Sequence, residues 1–459
     1  MMNPLLVPEL REYLATEDVE SLREFCTCTH PAAVAELLSG LTAPEVWQIL
    51  KYTDVGTRAD IFSHLEPELQ IELAEAMRRD ELARLIVSMA HDDRVDLLKR
   101  FPDEKRDAIL PALAQAERED IRRLSEHPEG SAGAAMTSDY ATLSENLTAR
   151  EAIEKLRLEA PDKETIYYAY VVDEQRRLIG FVSLRDLILA RPYLHVGAFM
   201  QREIIFARVT EDQEEAARKI QKYDLLALPV VDANGVIVGI ITHDDALDIV
   251  VQEQTEDIER FMGIGGAHEA GVYLRTSALT HFRNRAFWVV GLAALGIVSG
   301  MIVNSYQATL AEFMILVLYM PMLAAAGGNT GSQAATVVIR AIAVNEITPT
   351  DVLRVLGKEF QIALMLAVCL GLLSWAKVAF LTDAASVPLG FSLPWIGAVI
   401  SIALGIQVVT ATLVGAVLPL AATKLKMDPA LVASPVLATV VDMTGLLIYF
   451  QTARLLLGL

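Results

Sequence analysis

The sequence predicts a multidomain membrane protein, in which an acidic soluble region precedes an all-α transmembrane domain of five helices. Three observations predict this fold class. Long apolar runs are confined to the C-terminal part, a repeat occupies the middle of the chain, and a helical pattern fills the N-terminal part. We expect a superhelical α-helical N-domain, a tandem pair of α/β units, a connecting helix and the five membrane helices, in that order.

Charge is distributed unevenly along the chain. The 459 residues carry a net charge of −20, yet residues 286–459 hold seven basic and seven acidic residues, so the acidity lies entirely in the first 285. Nucleic-acid binding requires basic patches, which argues against such a partner and favours cations. The first 30 residues lack the pattern of a secretory signal, so we expect this acidic region to be cytoplasmic. Cys26, Cys28 and Cys369 are interpreted as reduced thiols.

Five segments are apolar enough to span a bilayer, which requires about 20 residues each. The second and fourth are long and contain Gly or Pro, so tilt, kinks or breaks are expected there. Basic residues flank the first segment and fill alternate loops, and the positive-inside rule then places the N-terminus in the cytoplasm and the C-terminus outside. The predicted spans are 286–305, 312–339, 360–381, 393–420 and 431–457.

A single acid lies deep within a predicted span. Asp442 is 13 residues beyond Pro429, which is roughly 20 Å of helix and therefore near the bilayer midplane. A carboxylate at that depth costs roughly 2.5–3.5 kcal/mol on insertion scales, and such groups usually mark ion or proton paths. The structural alternative is an acid that is protonated or paired with a buried donor. No Lys, Arg or His lies at comparable depth in the sequence to pair with it.

The second span contains an unusual polar run, GGNTGSQ, over residues 327–333. Such a run weakens a helix and exposes backbone carbonyls, which is tolerated at this depth only against protein or water. The structural alternative is close helix packing through small residues. Carbonyl, hydroxyl and amide oxygens together with one carboxylate suit Mg²⁺ or Ca²⁺, and Mg²⁺ retains its waters in such sites. A homodimer would place two copies of Asp442 across a two-fold axis.

The middle of the chain contains a duplicated unit. The stretch 170–188 aligns with 229–247, and both copies carry the pattern V-V-D, then G, then Ser or Thr followed by Asp three residues later. Each copy predicts a helix, a strand, a tight turn, a strand and a helix. The pattern resembles a tandem pair of CBS domains, at about 136–190 and 200–250 within a domain of 131–250. Such pairs often bind adenine nucleotides, so the resemblance implies ATP as a further ligand.

Residues 1–130 form the predicted N-domain, in which Leu41, Leu65 and Met89 recur every 24 residues. Stacked helix hairpins would explain that period. After the repeat, residues 244–275 form an acidic connecting helix and linker. Acids on that helix would repel one another at the mouth of a dimeric membrane domain unless a divalent cation screened them, which provides a switch that closes when the cation binds.

The chain as a whole resembles the MgtE-type magnesium transporters. The motifs that carry the resemblance are GGNTGSQAATVVIRA (327–341), MDPALVASPVLATVVDMTGLL (427–447) and TEDIERF (255–261). The resemblance implies a homodimeric Mg²⁺ channel of the cell inner membrane, lined by the second and fifth spans (within 286–459) and closed by cytosolic Mg²⁺.

The resemblance also implies two groups of ion-binding residues. Ser332 and Ser434 depart from the family, because some members have Asn there, and selectivity against Mn²⁺, Co²⁺ or Ca²⁺ is expected to differ. The implied pore site comprises Asp442, Gly328, Ala438, Asn329, Ser332 and Ser434. The implied cytosolic sensor comprises Asp245, Asp248, Glu253, Glu256 and Asp257, with Asp92, Asp93 and Asp96 from the N-domain.

Other functions remain open from the residues alone. The first is a transporter of another ion that uses Asp442 as a proton carrier, and the second is a membrane-anchored nucleotide sensor without transport. An enzyme is disfavoured, since no P-loop, nucleophile elbow or HExxH motif occurs.

Overall fold

The computed structural model describes residues 7–160, 163–266, 277–344, 346–383, 387–388 and 390–458, apart from the side chains of 103 and 430–435. The chain divides into two compact units, Met1–Val250 and Val251–Leu459.

Ten short helices come first among the described residues of the first unit. The repeating Leu41, Leu65 and Met89 are all buried, and each lies between the two helices of a hairpin. From the third helix onward, odd-numbered helices pack on odd-numbered ones and even on even, so the predicted superhelical stack is confirmed. The ten helices are α1 Val7–Ala15, α2 Val19–Cys28, α3 Pro31–Leu38, α4 Ala43–Leu50, α5 Val55–Ser63, α6 Pro67–Ala76, α7 Arg79–Val87, α8 His91–Arg100, α9 Asp103–Ile109 and α10 Gln115–Ser125.

Two copies of one α/β unit follow. In each, a parallel pair of strands is extended by an antiparallel hairpin, giving sheets of order β1-β2-β3 and β4-β5-β6. Val171 pairs with Gly180 in the first sheet and Val230 with Gly239 in the second, so the predicted repeat has the same register in both copies. The elements are β1 Tyr140–Ser144, α11 Ala149–Glu159, β2 Thr165–Val172, β3 Leu178–Ser183 and α12 Leu184–Leu189, then β4 Ala207–Arg208, α13 Gln213–Tyr223, β5 Ala227–Val231, β6 Ile237–Thr242 and α14 His243–Phe261.

The two repeats pack through a reciprocal exchange of methionines. A Cβ at Gly180 would lie 2.8 Å from the sulfur of Met200, which precedes the second sheet. A Cβ at Gly239 would lie 2.6 Å from the sulfur of Met136, which precedes the first. Both strands therefore need glycine, because each is crossed closely by the chain that leads into the other repeat.

Among the described residues of the second unit, six helices follow the end of α14. Five of these helices are long, and the sixth, α16, is a short helix that precedes the second long one. Among the described residues, four helices are long and apolar enough to cross a membrane, in α15, α18, α19 and α20, so the count of five spans stays a prediction. The helices are α15 Ala278–Ser305, α16 Gln307–Glu312, α17 Ile315–Ala343, α18 Val352–Leu381, α19 Leu393–Lys424 and α20 Pro429–Leu457.

Of the tilt, kinks or breaks expected in the second span, a break does not occur within the described residues of α17. Helix α17 continues through residues 327–333 and also through Pro321. Small residues let neighbouring helices approach and enclose this stretch: Gly331 is buried and lies close to Ala411 and Gly415 of α19. Lateral packing thus supports a helix that the local sequence would leave weak.

Candidate ion site and acidic cluster

Asp442 lies halfway along α20, which runs from Pro429 to Leu457. Its side chain is exposed in the isolated chain, as is that of Ala438 one turn earlier. The residue before it, Val441, is fully buried. One side of α20 is therefore packed into the helical unit, while the adjacent side carries a carboxylate that its own chain leaves uncovered.

Helix α17 also has two different sides at its midpoint. Gly327 and Gly331 are buried against α19 and α20, which is the close packing foreseen as the structural alternative. Asn329 is exposed, Ser332 is half-buried, and a Cβ at Gly328 would meet nothing within 4 Å. The polar run therefore serves packing on one side and presents an amide, a hydroxyl and an open glycine on the other.

The contacts of Val441 show that the midpoint of α20 lies at the same depth as the midpoint of α17. A Cβ at Gly327 would lie 3.0 Å from one of its methyl carbons, and a Cβ at Gly331 would lie 3.5 Å from the other. Because Asp442 follows Val441 and Gly328 follows Gly327, the uncovered carboxylate and the open stretch of α17 occupy corresponding depths of the helical unit. The side chain of Ser434 lies outside the described residues.

The oxygens available at this level are chemically hard. Asp442 supplies a carboxylate, Asn329 an amide oxygen and Ser332 a hydroxyl. Gly328 and Ala438 lie in regular helix, where each carbonyl accepts one helical hydrogen bond and keeps a second lone pair. Such groups suit a hydrated Mg²⁺, which binds through few direct ligands and several waters.

A second cluster of acids lies in the first unit. Asp92 and Asp93 occupy the first turn of α8, Asp245 the first turn of α14, and Glu164 precedes β2. Burial and then the neighbouring Asp245 raise the pKa of Asp92 well above its usual value. Burial and like charges also raise the pKa of Asp245 to about 6 and that of Glu164 to about 7. The N-domain and the repeat pair thus meet through acids that repel one another.

The other predicted sensor acids are placed differently. Asp96 is exposed and lies 3.4 Å from Lys99, while Asp248 is exposed on α14. Glu253, Glu256 and Asp257 belong to the second unit, where Glu256 pairs with Arg260. Within the described ranges, no group of three or more His, Cys, Asp or Glu has the arrangement of a ready metal site.

Sequence reasoning missed three polar residues that the structure singles out. His91 contacts the Asp120 carboxylate at 2.7 Å and the Asp139 carboxylate at 3.1 Å, joining α8 and α10 to the segment before β1. Glu164 joins the acidic cluster. Gln407 is fully buried in α19. Only Gln407 had a signal in the sequence, as an amide within a long apolar run, because the partners of the other two are distant along the chain.

Comparison with known protein families gives matches along most of the chain. An MgtE divalent cation transporter domain matches residues 320–452, and an MgtE intracellular N domain matches residues 29–130. CBS domains match residues 132–193 and 196–252.

Individual relatives agree with these matches. The magnesium transporter MgtE of Thermus thermophilus is 36% identical over 461 residues, 99% of both chains. The magnesium transporter MgtE of Bacillus subtilis is 33% identical over 88% of this chain and 87% of its own. A crystal structure of the cytosolic domain of the Mg²⁺ channel MgtE in complex with ATP is 37% identical, with a TM-score of 0.51, over 53% of this chain and all of that one. This chain therefore belongs to the MgtE family of magnesium transporters.

Proposed function

We propose that the protein is a Mg²⁺-selective channel that imports Mg²⁺ across the inner membrane and closes when Mg²⁺ binds its cytosolic acids. The observation that carries this proposal is the exposed carboxylate of Asp442, halfway along α20 and level with the open polar side of α17. The names of its relatives, which are magnesium transporters, support the choice of ion.

A channel that conducts hydrated Mg²⁺ needs oxygens that hold the waters rather than strip them. Mg²⁺ dehydrates reluctantly, so one carboxylate with a few neutral oxygens attracts the ion without trapping it. Two copies of Asp442 facing each other across a homodimer axis would double the local charge. Asp442 therefore acts as the attracting group, and Asn329, Ser332, Gly328 and Ala438 contact the ion's water shell.

The experiment is Mg²⁺ flux into proteoliposomes, with wild type beside Asp442→Ala and Asp442→Asn. Thr444→Val serves as the matched control, because the Thr444 hydroxyl bonds only to carbonyls of its own helix among the described residues. We expect flux in wild type and control, none in Asp442→Ala and strong impairment in Asp442→Asn. Equal flux in all four proteins would overturn the proposal.

Gating is assigned to the cytosolic acids. Asp92, Asp93 and Asp245 repel one another where the N-domain meets the repeat pair, and a bound divalent cation would offset that repulsion. The proposed sensor also includes Asp248, Glu253, Glu256 and Asp257 on α14. When cytosolic Mg²⁺ falls, the acids lose their counter-ion, the compact arrangement is destabilised and the pore opens.

The proposed assembly is a homodimer with its N-terminus in the cytoplasm and its C-terminus outside. ATP is proposed as a second ligand of the CBS pair, supported by the ATP complex of the related cytosolic domain. Binding of labelled ATP to the purified protein, with and without Mg²⁺, tests this assignment.

A broader divalent cation transporter is the second candidate. The observation that favours it is Ser332, whose short side chain lies half-buried beside Asn329 on the open side of α17. Flux of Mn²⁺, Co²⁺ and Ca²⁺ in the same liposomes distinguishes the two candidates. A dependence of flux on the proton gradient would instead identify Asp442 as a proton carrier.

A further inference from the structure

Gln407 is a fully buried amide at the centre of the helical unit. It lies on α19, and its Nε2 atom donates a hydrogen bond of 2.9 Å to the backbone carbonyl of Val441 on α20. Asp442 is the next residue along that helix. The bond therefore connects α19 directly to the peptide group that precedes the proposed ion-attracting carboxylate.

Two glycines make room for this amide. A Cβ at Gly327 of α17 would lie 2.5 Å from Nε2 of Gln407, and a Cβ at Gly445 of α20 would also collide with the amide. The side chain is thus enclosed between three helices, with glycine backbone on either side. An added methyl group at either position would displace the amide, because the atoms nearest to that methyl group belong to the Gln407 side chain itself.

The buried amide of Gln407 includes one polar atom whose burial is unfavourable. Its Oε1 atom is buried and has no hydrogen-bond partner among the described residues. Exchanging the amide's oxygen and nitrogen would direct an oxygen at the Val441 carbonyl, so the donor orientation is the favourable one. A buried unpaired oxygen destabilises a helical unit, and apolar packing would avoid it, which points to a role for the donor itself.

We propose that Gln407 is a positioning residue for Asp442, which fixes the rotation and height of α20 so that the carboxylate faces the conduction path. Val441 is held on one side by the two glycines of α17 and on the other by this hydrogen bond. Without the donor, α20 loses the one polar contact at this level that links it to α19 in the described chain.

The inference rests on the proposed Mg²⁺ flux and is tested in the same proteoliposomes. Gln407→Met keeps the length and volume of the side chain but removes the donor, and Gln407→Asn keeps the amide but shortens its reach. Gly445→Ala displaces the amide without altering it. Thr412→Val is the matched control, because Thr412 is also buried in α19 but, among the described residues, bonds only to the Val408 carbonyl of its own helix. Gly300→Ala controls for the added methyl group, since that position is open.

The measured quantities are the half-saturating Mg²⁺ concentration, the maximum flux and the ratio of Mg²⁺ to Ca²⁺ flux. We expect the three test variants to raise the half-saturating concentration roughly three- to tenfold, the range for one interhelical hydrogen bond in a membrane. The flux ratio should fall, and both controls should match wild type.

The outcomes separate the two proposals. Absence of wild-type flux would overturn the proposed function. Wild-type flux that Asp442→Ala abolishes, together with unchanged half-saturation and flux ratio in all three test variants, would overturn only the role of Gln407. A loss of maximum flux and thermal stability alone would also overturn it, since that pattern indicates packing. If Gln407→Met does not purify as a folded protein, Gly445→Ala and Gln407→Asn decide by the same criteria.

Discussion

Arg260 of α14 lies within ion-pair distance of Asp428, the residue that precedes α20, with 3.0 Å between Nη1 and Oδ2. The same guanidinium also contacts Glu256 one turn earlier on α14. One cation thus joins an acid of the connecting helix to the start of the helix that carries Asp442.

Replacing Arg260 should loosen that attachment. Arg260→Ala leaves Glu256 and Asp428 without their shared cation, so we expect more cytosolic Mg²⁺ to be needed for closure. The pair is partly exposed, and such pairs contribute about 0.2–1 kcal/mol, which corresponds to a shift of roughly 1.5- to 5-fold. Flux recorded against cytosolic Mg²⁺ measures the shift. Arg354→Ala is the control, since Arg354 is exposed and pairs only locally with Asp351 among described residues; equal curves for both variants would contradict the prediction.

The acidic cluster predicts that the stability of the first unit depends on pH. Asp245 and Glu164 have pKa values of about 6 and about 7, raised from 3.8 and 4.5 chiefly by burial and then by neighbouring acids. The compact arrangement therefore binds more protons than the unfolded chain. The compact arrangement is most stable near and below the ordinary pKa values of the two acids, at a pH of about 4. Its stability falls as the pH rises through about 4 to about 7.

Trypsin protection of the full-length protein without Mg²⁺ should accordingly be greater at pH of about 5 than at about 7.5. Added Mg²⁺ should restore protection at the higher pH. Asp245→Asn should reduce the difference, while Asp96→Asn, which changes an exposed acid of α8, should leave it intact. Protection that rises with pH in the absence of Mg²⁺ would be inconsistent with the cluster as described.

The close crossing of α17 and α19 predicts that replacing glycine by alanine destabilises the protein at one position and not at another. Gly415→Ala would place a methyl group on the Gly331 carbonyl, which backbone packing cannot relieve. We expect a loss of about 1–3 kcal/mol in stability, the usual effect of overpacking. Gly357→Ala should be neutral, because an added Cβ there would meet no atom of the described residues within 4 Å. Monodispersity in detergent after heating compares the two, and equal survival would refute the close approach.

Ser332 predicts a change in selectivity. Ser332→Asn extends an amide from the open side of α17 towards the water shell of the ion. We expect Mn²⁺ and Ca²⁺ flux to fall relative to Mg²⁺ flux, because a longer polar group discriminates the size of the hydrated ion more strongly. Ser305→Asn, at the exposed end of α15, is the matched control. Unaltered flux ratios in Ser332→Asn would show that residue 332 does not contribute to selectivity.

Local patterns in the sequence predicted much of this architecture. The offset of the repeat anticipated the matching pairs Val171–Gly180 and Val230–Gly239, and the 24-residue period anticipated the stacked helices. Asp442 was proposed as the pore site because an ionisable group deep within a span usually marks an ion or proton path, and that assignment stays a prediction.

Features that depend on distant partners were not predictable in this way. The continuity of α17 follows from Ala411 and Gly415 of α19, which approach its glycines from far along the chain. His91 finds Asp120 and Asp139 only when the N-domain and the repeats fold together. Sequence periodicity gives the faces of a helix but does not give the neighbours of those faces.

The reciprocal methionines of the CBS pair limit how its two copies could diverge. Met200 covers Gly180 and Met136 covers Gly239, so each copy completes the packing of the other. A bulkier residue at either glycine would displace a side chain belonging to the opposite copy. The pair is therefore one packing unit, because removing either copy would leave a glycine of the other copy's sheet uncovered.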